Sequence, residues 1–536
     1  MAEKLWVRKA SGLVRSVSPL DAFAMGVNYS GVGLIAMFMG WSYAWYPHGN
    51  PYVAYIFGGI WCMIAMLCYS FLAIALPRSG GDYIFVSRIL HPSLGFAFNL
   101  LVVWATVMWA SWNGYYMSTV GIPTMIGAIG YALKSPGILA LLSYSTGPYA
   151  QWYTMAIGTA VIMSFMLLVS IQIKHFGRYQ SLLVMIIIIG SLLAPLVLFA
   201  TPRETFVSNF NSAVGANAYQ SIIDAGREAG ADLTPGYSAY ATFALLPVVQ
   251  TGLGWTWSST FVAGELKDVK KSNLLAVPVG IVVMIILVVM WYAGLEYSAG
   301  REFITAVNYL ASYNPAALTL QVPPYVYFFA SVASMNLPLL AVIPLIILIN
   351  LAFPLTNMTA GPMNTVIGVR SMFAWSFDRL FPSYFSKVSD RWHSPYVSAG
   401  IHCFIAWLFL WVYTFTPYFV TLSLTGGLIA GMIVVSISCI VLPFLKKEIY
   451  QASALSKWHI GKVPVVSVVG VIGFIWVMIT EVMMAIDPSY GANNAISLGS
   501  LVLTPIGGFI VYWIIRYVRK RQRIDLDLIY AEVPPV

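Results

Sequence analysis

The chain has 536 residues, of which 59% are hydrophobic and only 9% are Asp, Glu, Lys or Arg. Soluble domains carry about 25% charged residues, so this composition excludes a soluble fold. The formal net charge of +9 fits either a nucleic-acid-binding surface or a membrane surface that meets anionic lipid. The positions of the basic residues decide between these two interpretations.

Apolar segments of about 20 residues, the length that crosses a bilayer, recur along the chain. They predict an all-α membrane protein with twelve transmembrane helices, TM1 to TM12. The first twenty residues lack the short apolar core of a signal peptide, so no cleaved signal is expected. The predicted spans cover residues 20–44, 52–76, 94–121, 152–173, 180–200, 240–263, 274–297, 337–369, 395–416, 420–444, 464–486 and 497–518.

The basic residues are strongly segregated between the two sides of the predicted bundle. The side that holds the N-terminus receives 24 Lys and Arg residues and the other side 4, together the 28 of the sequence. The positive-inside rule then places both termini in the cytoplasm. The basic excess therefore indicates a cytoplasmic surface that meets membrane lipids, and nucleic acid is not expected as a partner. The four exceptions are Lys134, Arg203, Arg227 and Arg301.

Loop lengths and charge divide the chain into segments. Two long external stretches, residues 201–239 and 301–336, are typical either of lids or of tolerated surface insertions, and the sequence leaves both open. The predicted segments are a cytoplasmic N-terminal segment (1–19), TM1–TM5 (20–200), an extracellular loop (201–239), TM6–TM10 (240–444), TM11–TM12 (445–518) and a cytoplasmic tail (519–536) that ends in Pro534-Pro535 and Val536.

Two glycine-rich interruptions lie in the middle of TM1 and TM6, at residues 28–33 and 251–255. A glycine inside a helix costs about 1 kcal/mol relative to alanine. Unpaired main-chain groups at membrane depth are tolerated only beside a cavity or a ligand. Both interruptions lie near the middle of a hydrocarbon core about 30 Å thick, and TM1 and TM6 run in opposite directions. This arrangement predicts a five-plus-five inverted repeat with discontinuous helices 1 and 6, followed by two extra C-terminal helices.

A pair of such breaks suits a small zwitterion such as an α-amino acid. Half-helix N-termini attract an anionic group, and unwound carbonyls attract an ammonium group. Close helix packing is the alternative role for these glycines, and packing or interfacial anchoring is the alternative for the tryptophans of TM3 and TM6. The predicted substrate contacts are Tyr29, Ser30, Gly31, Val32 and Gly33 in TM1, Trp109 and Asn113 in TM3, and Thr251, Gly252, Leu253, Gly254 and Trp255 in TM6.

Four motifs resemble the amino acid–polyamine–organocation transporter superfamily, and its amino acid permeases in particular. The resemblance implies a five-plus-five inverted repeat, alternating access, and secondary transport driven by an ion gradient or by exchange. The motifs are Ser30-Gly31-Val32-Gly33, Pro77-Arg78-Ser79-Gly80-Gly81-Asp82-Tyr83, Gly264-Glu265-Leu266-Lys267-Asp268, and Arg370 with Phe377-Asp378-Arg379-Leu380-Phe381-Pro382.

The sequence departs from that family's pattern in two places. Gly254-Trp255-Thr256-Trp257 carries no carboxylate where the family often has a glutamate at the TM6 break. The stretch Ser181 to Phe199 carries no lysine where many proton-coupled members have one in TM5. Proton coupling through a membrane lysine is therefore not expected.

The coupling ion stays open between Na⁺, H⁺ and none. Pro354 should kink TM8 and free carbonyls. By the resemblance, the residues that follow it face the TM1 break, so Thr356, Asn357 and Thr359 form a possible sodium site with hard oxygen ligands. Ordinary hydrogen bonding between helices is the alternative role for these residues. In TM10, Thr425-Gly426-Gly427 could form a thin gate or simply pack closely.

Ionisable side chains are nearly absent from the predicted spans, where they would be the first functional candidates. Asp21, Glu265, Glu296 and Glu481 are expected at the membrane interfaces, and Cys62, Cys68, Cys403 and Cys439 are expected as buried thiols. The six histidines are scattered, and no phosphate-binding glycine loop is present, so neither an enzyme nor an ATP-driven pump is indicated.

The sequence therefore predicts a plasma-membrane secondary transporter of amino acids, with the substrate and membrane lipids as partners and no cofactor apart from a coupling ion. A site without central carboxylates favours a neutral amino acid over one with a cationic side chain. Transport of polyamines or other organic cations, and a transport-inactive amino acid sensor with the same fold, remain alternatives. A channel is disfavoured, because no ring of filter residues or charged pore lining is present.

Overall fold

A computed structural model describes residues 12–318, 320–416 and 424–531 of the chain. The predicted features at the chain ends, namely the first basic residues and the final Pro534-Pro535, lie outside these residues, as does the beginning of predicted TM10 (420–423).

The described residues form eleven helices that are long and apolar enough to cross a membrane. A shorter apolar helix, Ala239–Leu253, occupies the position of predicted TM6 and continues into the 3₁₀ turns Thr256–Phe261 and Ala263–Glu265. The eleven are TM1 (Pro19–Trp45, divided into TM1a, Pro19–Ser30, and TM1b, Val32–Trp45), TM2 (Pro51–Ala75), TM3 (Pro92–Ala132), TM4 (Ala150–Ser170), TM5 (Ile173–Phe199), TM7 (Val269–Ser298), TM8 (Leu339–Phe377), TM9 (Tyr396–Phe415), TM10 (Leu424–Leu445), TM11 (Val465–Ile486) and TM12 (Ala495–Arg521).

Nine shorter helices and a small hairpin connect the spans. They are α1 (Gly81–Ile89), α2 (Pro136–Ala140), α3 (Ser143–Thr146), α4 (Arg203–Val214), α5 (Ala218–Glu228), α6 (Arg301–Tyr313), α7 (Val326–Ala333), α8 (Lys447–Ala452) and α9 (Leu526–Ala531), with strands β1 (His459–Ile460) and β2 (Val463–Pro464) paired antiparallel.

TM1 begins at a capping box. The Asp21 N–H donates to Ser18 Oγ at 3.2 Å, and the Ser18 N–H donates to Asp21 Oδ2 at 3.3 Å. Pro19, at the first helical position, has no N–H to satisfy. Two main-chain N–H groups that would have no hydrogen-bond partner at the helix start are thereby paired, and this pairing fixes where TM1a begins. Ser18 is the N-cap residue, and Asp21, near the predicted end of the span, completes the capping box as the third helical residue.

Burial separates a central group of helices from a peripheral one. The apolar part of TM1 is 94% buried within the chain, whereas that of TM12 is only 17% buried. TM12 packs on TM3 through Gly508, where an added Cβ would lie 2.7 Å from Ala97 Cα. TM1 therefore belongs to the core of the bundle, and TM12 forms part of its outer surface. The four cysteines are all buried and free.

One end of the bundle, which we call the terminal face, holds both ends of the described chain. Val17 forms a parallel bridge with Leu266, and the Lys267 N–H donates to the Val17 carbonyl at 3.0 Å. Tyr530 of α9 lies 2.9 Å from Tyr83 of α1 between their hydroxyl oxygens. The segment before TM1 is thus tied to the end of TM6, and the C-terminal helix is tied to α1.

The opposite end, which we call the loop face, carries α4 to α7. Phe206, Phe210, Phe303 and Phe329 form a shared aromatic cluster in these helices. Asn308 of α6 packs on TM1b so closely that a Cβ on Gly40 would lie 2.5 Å from Asn308 Oδ1. The two long stretches between the spans are therefore folded into helices, and α6 of the second stretch packs on the end of TM1b.

Candidate functional site

The TM1 break is a single residue wide. TM1a ends at Ser30, and Gly31 takes the left-handed conformation, with φ 71° and ψ 60°, before TM1b starts at Val32. The Gly31 N–H closes the first helix on the Asn28 carbonyl at 3.0 Å. Only glycine adopts this conformation without a steric penalty from Cβ, which is why the sequence places glycine here.

The TM6 break begins later in its motif than the sequence predicts. Thr251, Gly252 and Leu253 still belong to the α-helix, and the chain departs from it at Gly254 and Trp255 before the 3₁₀ turn Thr256–Phe261. Nothing crowds Gly252 in this helix: an added Cβ would lie no closer than 3.7 Å to its neighbour, Ile35.

Two indole rings satisfy carbonyls that the TM6 break leaves without helical partners. Trp255 Nε1 donates to the Thr251 carbonyl at 2.7 Å, and Trp257 Nε1 donates to the Gly254 carbonyl at 2.8 Å. The Leu253 carbonyl accepts a hydrogen bond from the Trp255 N–H at 3.0 Å and a second, long one of 3.5 Å from Ser30 Oγ. A carbonyl oxygen has two lone pairs, so the position that Ser30 occupies weakly can accept a stronger donor.

The two breaks meet inside the bundle. Ser30 contacts the Leu253 carbonyl, and a Cβ on Gly26 of TM1a would lie 2.6 Å from the Thr256 carbonyl. The ring of Tyr29 stands edge-on to Trp257, with the ring centroids 5.6 Å apart. The end of TM1a and the unwound part of TM6 therefore pack main chain against main chain.

A cavity of about 30 Å³ lies beside the two breaks. A volume of this size holds about two water molecules, whereas ligand pockets usually measure several hundred Å³, so the site is contracted in this structure. None of the residues that line it is charged at neutral pH. They are the predicted contacts Tyr29, Ser30, Trp109, Asn113, Thr251 and Trp255, together with Leu34, Phe38, Ala360, Asn364 and Leu428.

The other predicted contacts do not line this cavity. Gly31, Val32 and Gly33 form the TM1 break and the start of TM1b, and Gly252, Leu253 and Gly254 form the end of the TM6 helix. The remaining TM3 tryptophans do not line the cavity: Trp104 is 38% exposed on the outside of the bundle, and Trp112 stacks on Tyr116 and packs edge-on against Trp109, with the ring centroids 4.8 Å apart.

Two polar atoms of the cavity wall are buried without a hydrogen-bond partner in the described part of the chain. They are Asn113 Oδ1 and Trp109 Nε1, an acceptor and a donor on neighbouring turns of TM3. The Asn113 amide is held by its Nδ2, which donates to the Trp109 carbonyl at 2.7 Å. Leaving a buried polar atom unpaired costs about 1–3 kcal/mol, so a ligand that pairs with these atoms recovers that energy.

TM8 supplies a wall residue that the sequence analysis missed. Tyr29 donates its hydroxyl to Asn364 Oδ1 at 3.1 Å, and Asn364 Nδ2 donates to the Ala360 carbonyl at 3.0 Å. Ala360 and Asn364 lie four and eight residues after Thr356, so all three share one helix face. This four-residue spacing is the feature of the sequence from which Asn364 could have been predicted as a wall residue.

The three residues of the possible sodium site face different neighbours. Thr356 Oγ1 accepts from the Gly33 N–H at 2.9 Å and donates to the Ala352 carbonyl at 2.7 Å. Asn357 faces TM3, where its Nδ2 would lie 3.5 Å from a Cβ on Gly121. Thr359 Oγ1 donates along its own helix to the Thr356 carbonyl at 3.0 Å. The sodium site stays a prediction.

An amide bridge joins TM1, TM5 and TM8 in this region. Asn28 Nδ2 donates to Gln180 Oε1 at 2.6 Å, and Gln180 Nε2 donates to the Thr359 carbonyl at 3.1 Å. TM5 has no lysine from residue 181 onward, and Gln180, which lies one residue earlier, was not among the residues predicted for the site. The side chain that links the three helices is neutral.

A buried ion pair lies between TM6 and TM8 toward the terminal face. Arg370 binds both carboxylate oxygens of Glu265, with Nε–Oε1 and Nη2–Oε2 distances of 2.8 Å, and Ser79 Oγ donates to Oε1 at 3.2 Å. The side chains are 1% and 0% exposed. Glu265 is therefore buried within the protein at the end of TM6, where Arg370, which is 105 positions away in sequence, pairs with it. Its expected place at the membrane interface stays a prediction.

Aromatic rings separate the small cavity from the loop face. Phe38 of TM1b lies 5.3 Å from Trp41 between ring centroids, and Trp41 also lines a larger cavity of about 300 Å³ beneath α6. Thr425 to Gly427 of TM10 pack toward TM3, where a Cβ on Gly427 would lie 3.4 Å from Ala105. Aromatic side chains thus lie between the site and the loop face, and the Arg370–Glu265 pair is buried toward the terminal face.

Comparison with known proteins agrees with this architecture. No curated protein sequence matches the chain. The sequence profile of the amino acid permease family, by contrast, matches residues 23–528, which include both breaks and all of the spanning helices except the first four residues of TM1. This multi-pass, helical membrane protein therefore belongs to the amino acid permease family, whose members are amino acid transporters rather than enzymes.

Proposed function

We propose that this protein carries a neutral amino acid across the plasma membrane by alternating access, with the terminal face in the cytoplasm. The observation that carries the proposal is the cavity at the two helix breaks, whose lining residues are uncharged. A cationic or anionic side chain would be buried there without a counter-ion, at a large cost in free energy. A side chain without charge avoids that cost.

The main chain supplies the contacts for the zwitterionic end of the substrate. The carboxylate lies at the N-terminal end of TM1b, beside Ser30 and Leu34, because a helix start attracts an anion. The ammonium group lies against the Leu253 carbonyl, where it replaces the long hydrogen bond from Ser30 while the Trp255 N–H keeps its own bond to the same oxygen. The substrate side chain then extends toward Trp109 and Asn113, where an acceptor and a donor are unpaired.

The twelve-span topology belongs to the same proposal. Ala239–Leu253 and the two 3₁₀ turns after it together form TM6, and TM1–TM5 and TM6–TM10 form the two inverted repeats. The charge distribution supports a cytoplasmic terminal face, since 24 of 28 Lys and Arg residues fall on that side in the twelve-span count. Alternating access requires the Arg370–Glu265 pair to separate when the site opens toward the cytoplasm.

A substrate panel tests the proposal. Purified protein in liposomes is assayed for uptake of radiolabelled alanine, leucine, glutamate, lysine and putrescine. We expect a neutral amino acid to be transported and the other three substrates to be at least tenfold slower. Uptake of lysine or putrescine alone would show instead an organic-cation transporter, and binding of an amino acid without flux would show a sensor.

A further inference from the structure

We propose that Asp82 is the proton-binding group through which this transporter is coupled to a proton gradient, an inference that rests on the transport function proposed above. Asp82 is the second residue of α1, outside the spanning helices, and only 2% of its surface is exposed. It belongs to the motif Pro77-Arg78-Ser79-Gly80-Gly81-Asp82-Tyr83, and it does not line the substrate cavity.

The two oxygens of the Asp82 carboxyl group have unequal surroundings. Oδ1 accepts from Asn99 Nδ2 at 2.6 Å and from the Tyr83 N–H at 2.8 Å. Oδ2 is buried and has no hydrogen-bond partner in the described part of the chain. It points toward TM10, where a Cβ on Gly431 would lie 3.6 Å from it. An ionised carboxylate is poorly solvated in this position, so the site favours the protonated acid.

Within the described part of the chain, no cationic side chain acts on Asp82 from the elements that surround it. Asn99 of TM3, Ser371 of TM8, Gly431 of TM10 and Phe261 of TM6 are all uncharged. The titratable groups that sense its charge are two phenols, Tyr29 of TM1 and Tyr69 of TM2. The buried cations of α1 and TM8 are engaged elsewhere, since Arg88 binds Asp378 and Arg370 binds Glu265.

Burial therefore sets the protonation of this group. Removal from water raises the pKa of the Asp82 carboxyl to about 7, and the hydrogen bonds from Asn99 and Tyr83 offset only part of that rise. In water the same carboxyl has a pKa near 3.9. Its proton affinity thus differs about a thousandfold between the packed site and a hydrated one. Protonation and hydration of the site are consequently linked equilibria.

Asn99 can serve either protonation state. Its Nδ2 also donates to Ser371 Oγ at 3.1 Å, and its Oδ1 is buried without a partner in the described residues. With the amide rotated by 180°, Oδ1 would accept the proton of a neutral Asp82. The carboxyl then remains hydrogen-bonded to the same residue whether it is charged or neutral.

The position of Asp82 ties its hydration to the moving part of the molecule. Two residues earlier, the Gly80 N–H donates to the Phe261 carbonyl of the unwound TM6 segment at 3.0 Å, and Ser79 forms a bridge with Val262. Opening of the terminal face displaces that segment and admits water to α1. While the substrate site is open to the outside, the Asp82 carboxylate takes up a proton from external water. The closed form holds this proton on the neutral acid, and opening of the terminal face lets the acid release it to cytoplasmic water.

The decisive variant is Asp82→Asn, which keeps the shape of the side chain and is permanently neutral. The probe is a radiolabelled neutral amino acid that the panel above identifies, with pyranine inside the liposomes to follow protons. Wild-type protein should accumulate the probe under an inward proton gradient and acidify the lumen as it does so. Asp82→Asn should lose gradient-driven accumulation and proton flux at least tenfold, while exchange of internal for external substrate without a gradient stays within about threefold of wild type.

Controls separate this proposal from folding and from the transport function. Glu448→Gln, at an exposed carboxylate between TM10 and TM11, should match wild type in both assays. Asp82→Glu, which keeps an ionisable group, should retain proton flux and covers the case in which Asp82→Asn fails to fold. Unchanged accumulation in Asp82→Asn would overturn the proposal, as would wild-type transport that ignores the proton gradient or follows only a sodium gradient. Absence of any amino acid transport by wild type would instead overturn the proposed function.

Discussion

The two broken helices interrupt their hydrogen-bond ladders in different ways. TM1 changes direction at one left-handed residue, Gly31, and resumes as a helix at once. TM6 leaves the α-helix at Gly254 and continues as 3₁₀ turns as far as Glu265, with the freed carbonyls satisfied by indole N–H groups. The TM1 break therefore depends on backbone conformation and close packing, and the TM6 break depends on side chains. Substitutions should affect the two breaks unequally.

The largest effect is expected from Gly33→Ala in TM1b. An added Cβ would lie 2.5 Å from both the Ala352 carbonyl and Thr356 Oγ1, and the carbonyl belongs to a helix that cannot yield locally. Overpacking of this kind costs about 1–3 kcal/mol, and here it also breaks the Gly33 to Thr356 hydrogen bond. We expect most of the protein to be lost, measured as the monodisperse fraction in size-exclusion chromatography after detergent extraction. Wild-type yield and uptake would contradict the close approach of TM1b to TM8.

Gly31→Val should come next. Valine is β-branched, and holding it at φ 71° costs about 1–2 kcal/mol or straightens the break. Both consequences move Ser30 and Leu34 relative to the cavity, so uptake in liposomes should fall at least tenfold. The protein should still fold, because the neighbours of the new Cβ, Leu34 Cδ1 at 3.1 Å and Thr356 Cγ2 at 3.4 Å, are side-chain atoms that can shift. Unchanged uptake by Gly31→Val would mean that the TM1 break does not contribute to substrate binding.

Trp255→Phe tests the TM6 break with a smaller change. Phenylalanine keeps an aromatic wall for the cavity but removes the N–H that donates to the Thr251 carbonyl. Leaving that carbonyl unpaired costs about 1 kcal/mol, and the last turn of the helix should loosen. We expect a drop of a few degrees in melting temperature and an increase in KM of about threefold to tenfold with kcat nearly unchanged. Equal losses in kcat and kcat/KM would indicate a role in the conformational step instead.

The smallest effect is expected at Gly252, which lies in the predicted TM6 motif but remains helical. Gly252→Ala puts a Cβ at ordinary van der Waals distance, 3.7 Å from Ile35 and 3.8 Å from Phe38. Alanine favours a helix over glycine by up to about 1 kcal/mol, so thermal stability should be unchanged or slightly raised and uptake should match wild type. This variant is the matched control for Gly31→Val. A loss comparable to that of Gly31→Val would mean that TM6 unwinds earlier during transport than it does in this structure.

The sequence was most informative where local chemistry determines the structure. Two glycines beside a serine predicted a TM1 break within residues 28–33, and the left-handed residue, Gly31, lies in that range because few residues other than glycine adopt this conformation. The predicted TM6 break begins about three residues before the observed one. Both Gly252 and Gly254 are candidates for the break, and only the packing around Gln250 and Ile35 distinguishes them. Helix bounds such as the extension of TM3 to Ala132, which passes through a π-helical turn at Met117–Gly121, depend on tertiary packing in the same way.

Pairs formed across the bundle could not be predicted from one sequence. Glu265 and Arg370 both lie in recognisable motifs, yet nothing in either motif states that they meet. Asn364 and Gln180 are polar residues within apolar helices, and the direction in which each points depends on helix rotation. Hydrophobic periodicity fixes that rotation poorly in helices that are apolar on most sides.

The four buried thiols, Cys62, Cys68, Cys403 and Cys439, make the native chain a ready background for site-directed labelling. A membrane-impermeant maleimide added to intact cells or to liposomes should leave them unmodified. One cysteine introduced at Tyr237 on the loop face, or at Lys446 between TM10 and TM11, would then report on its own which compartment that position faces. Fluorophores attached at such sites would follow opening and closing in real time without any native cysteine being replaced.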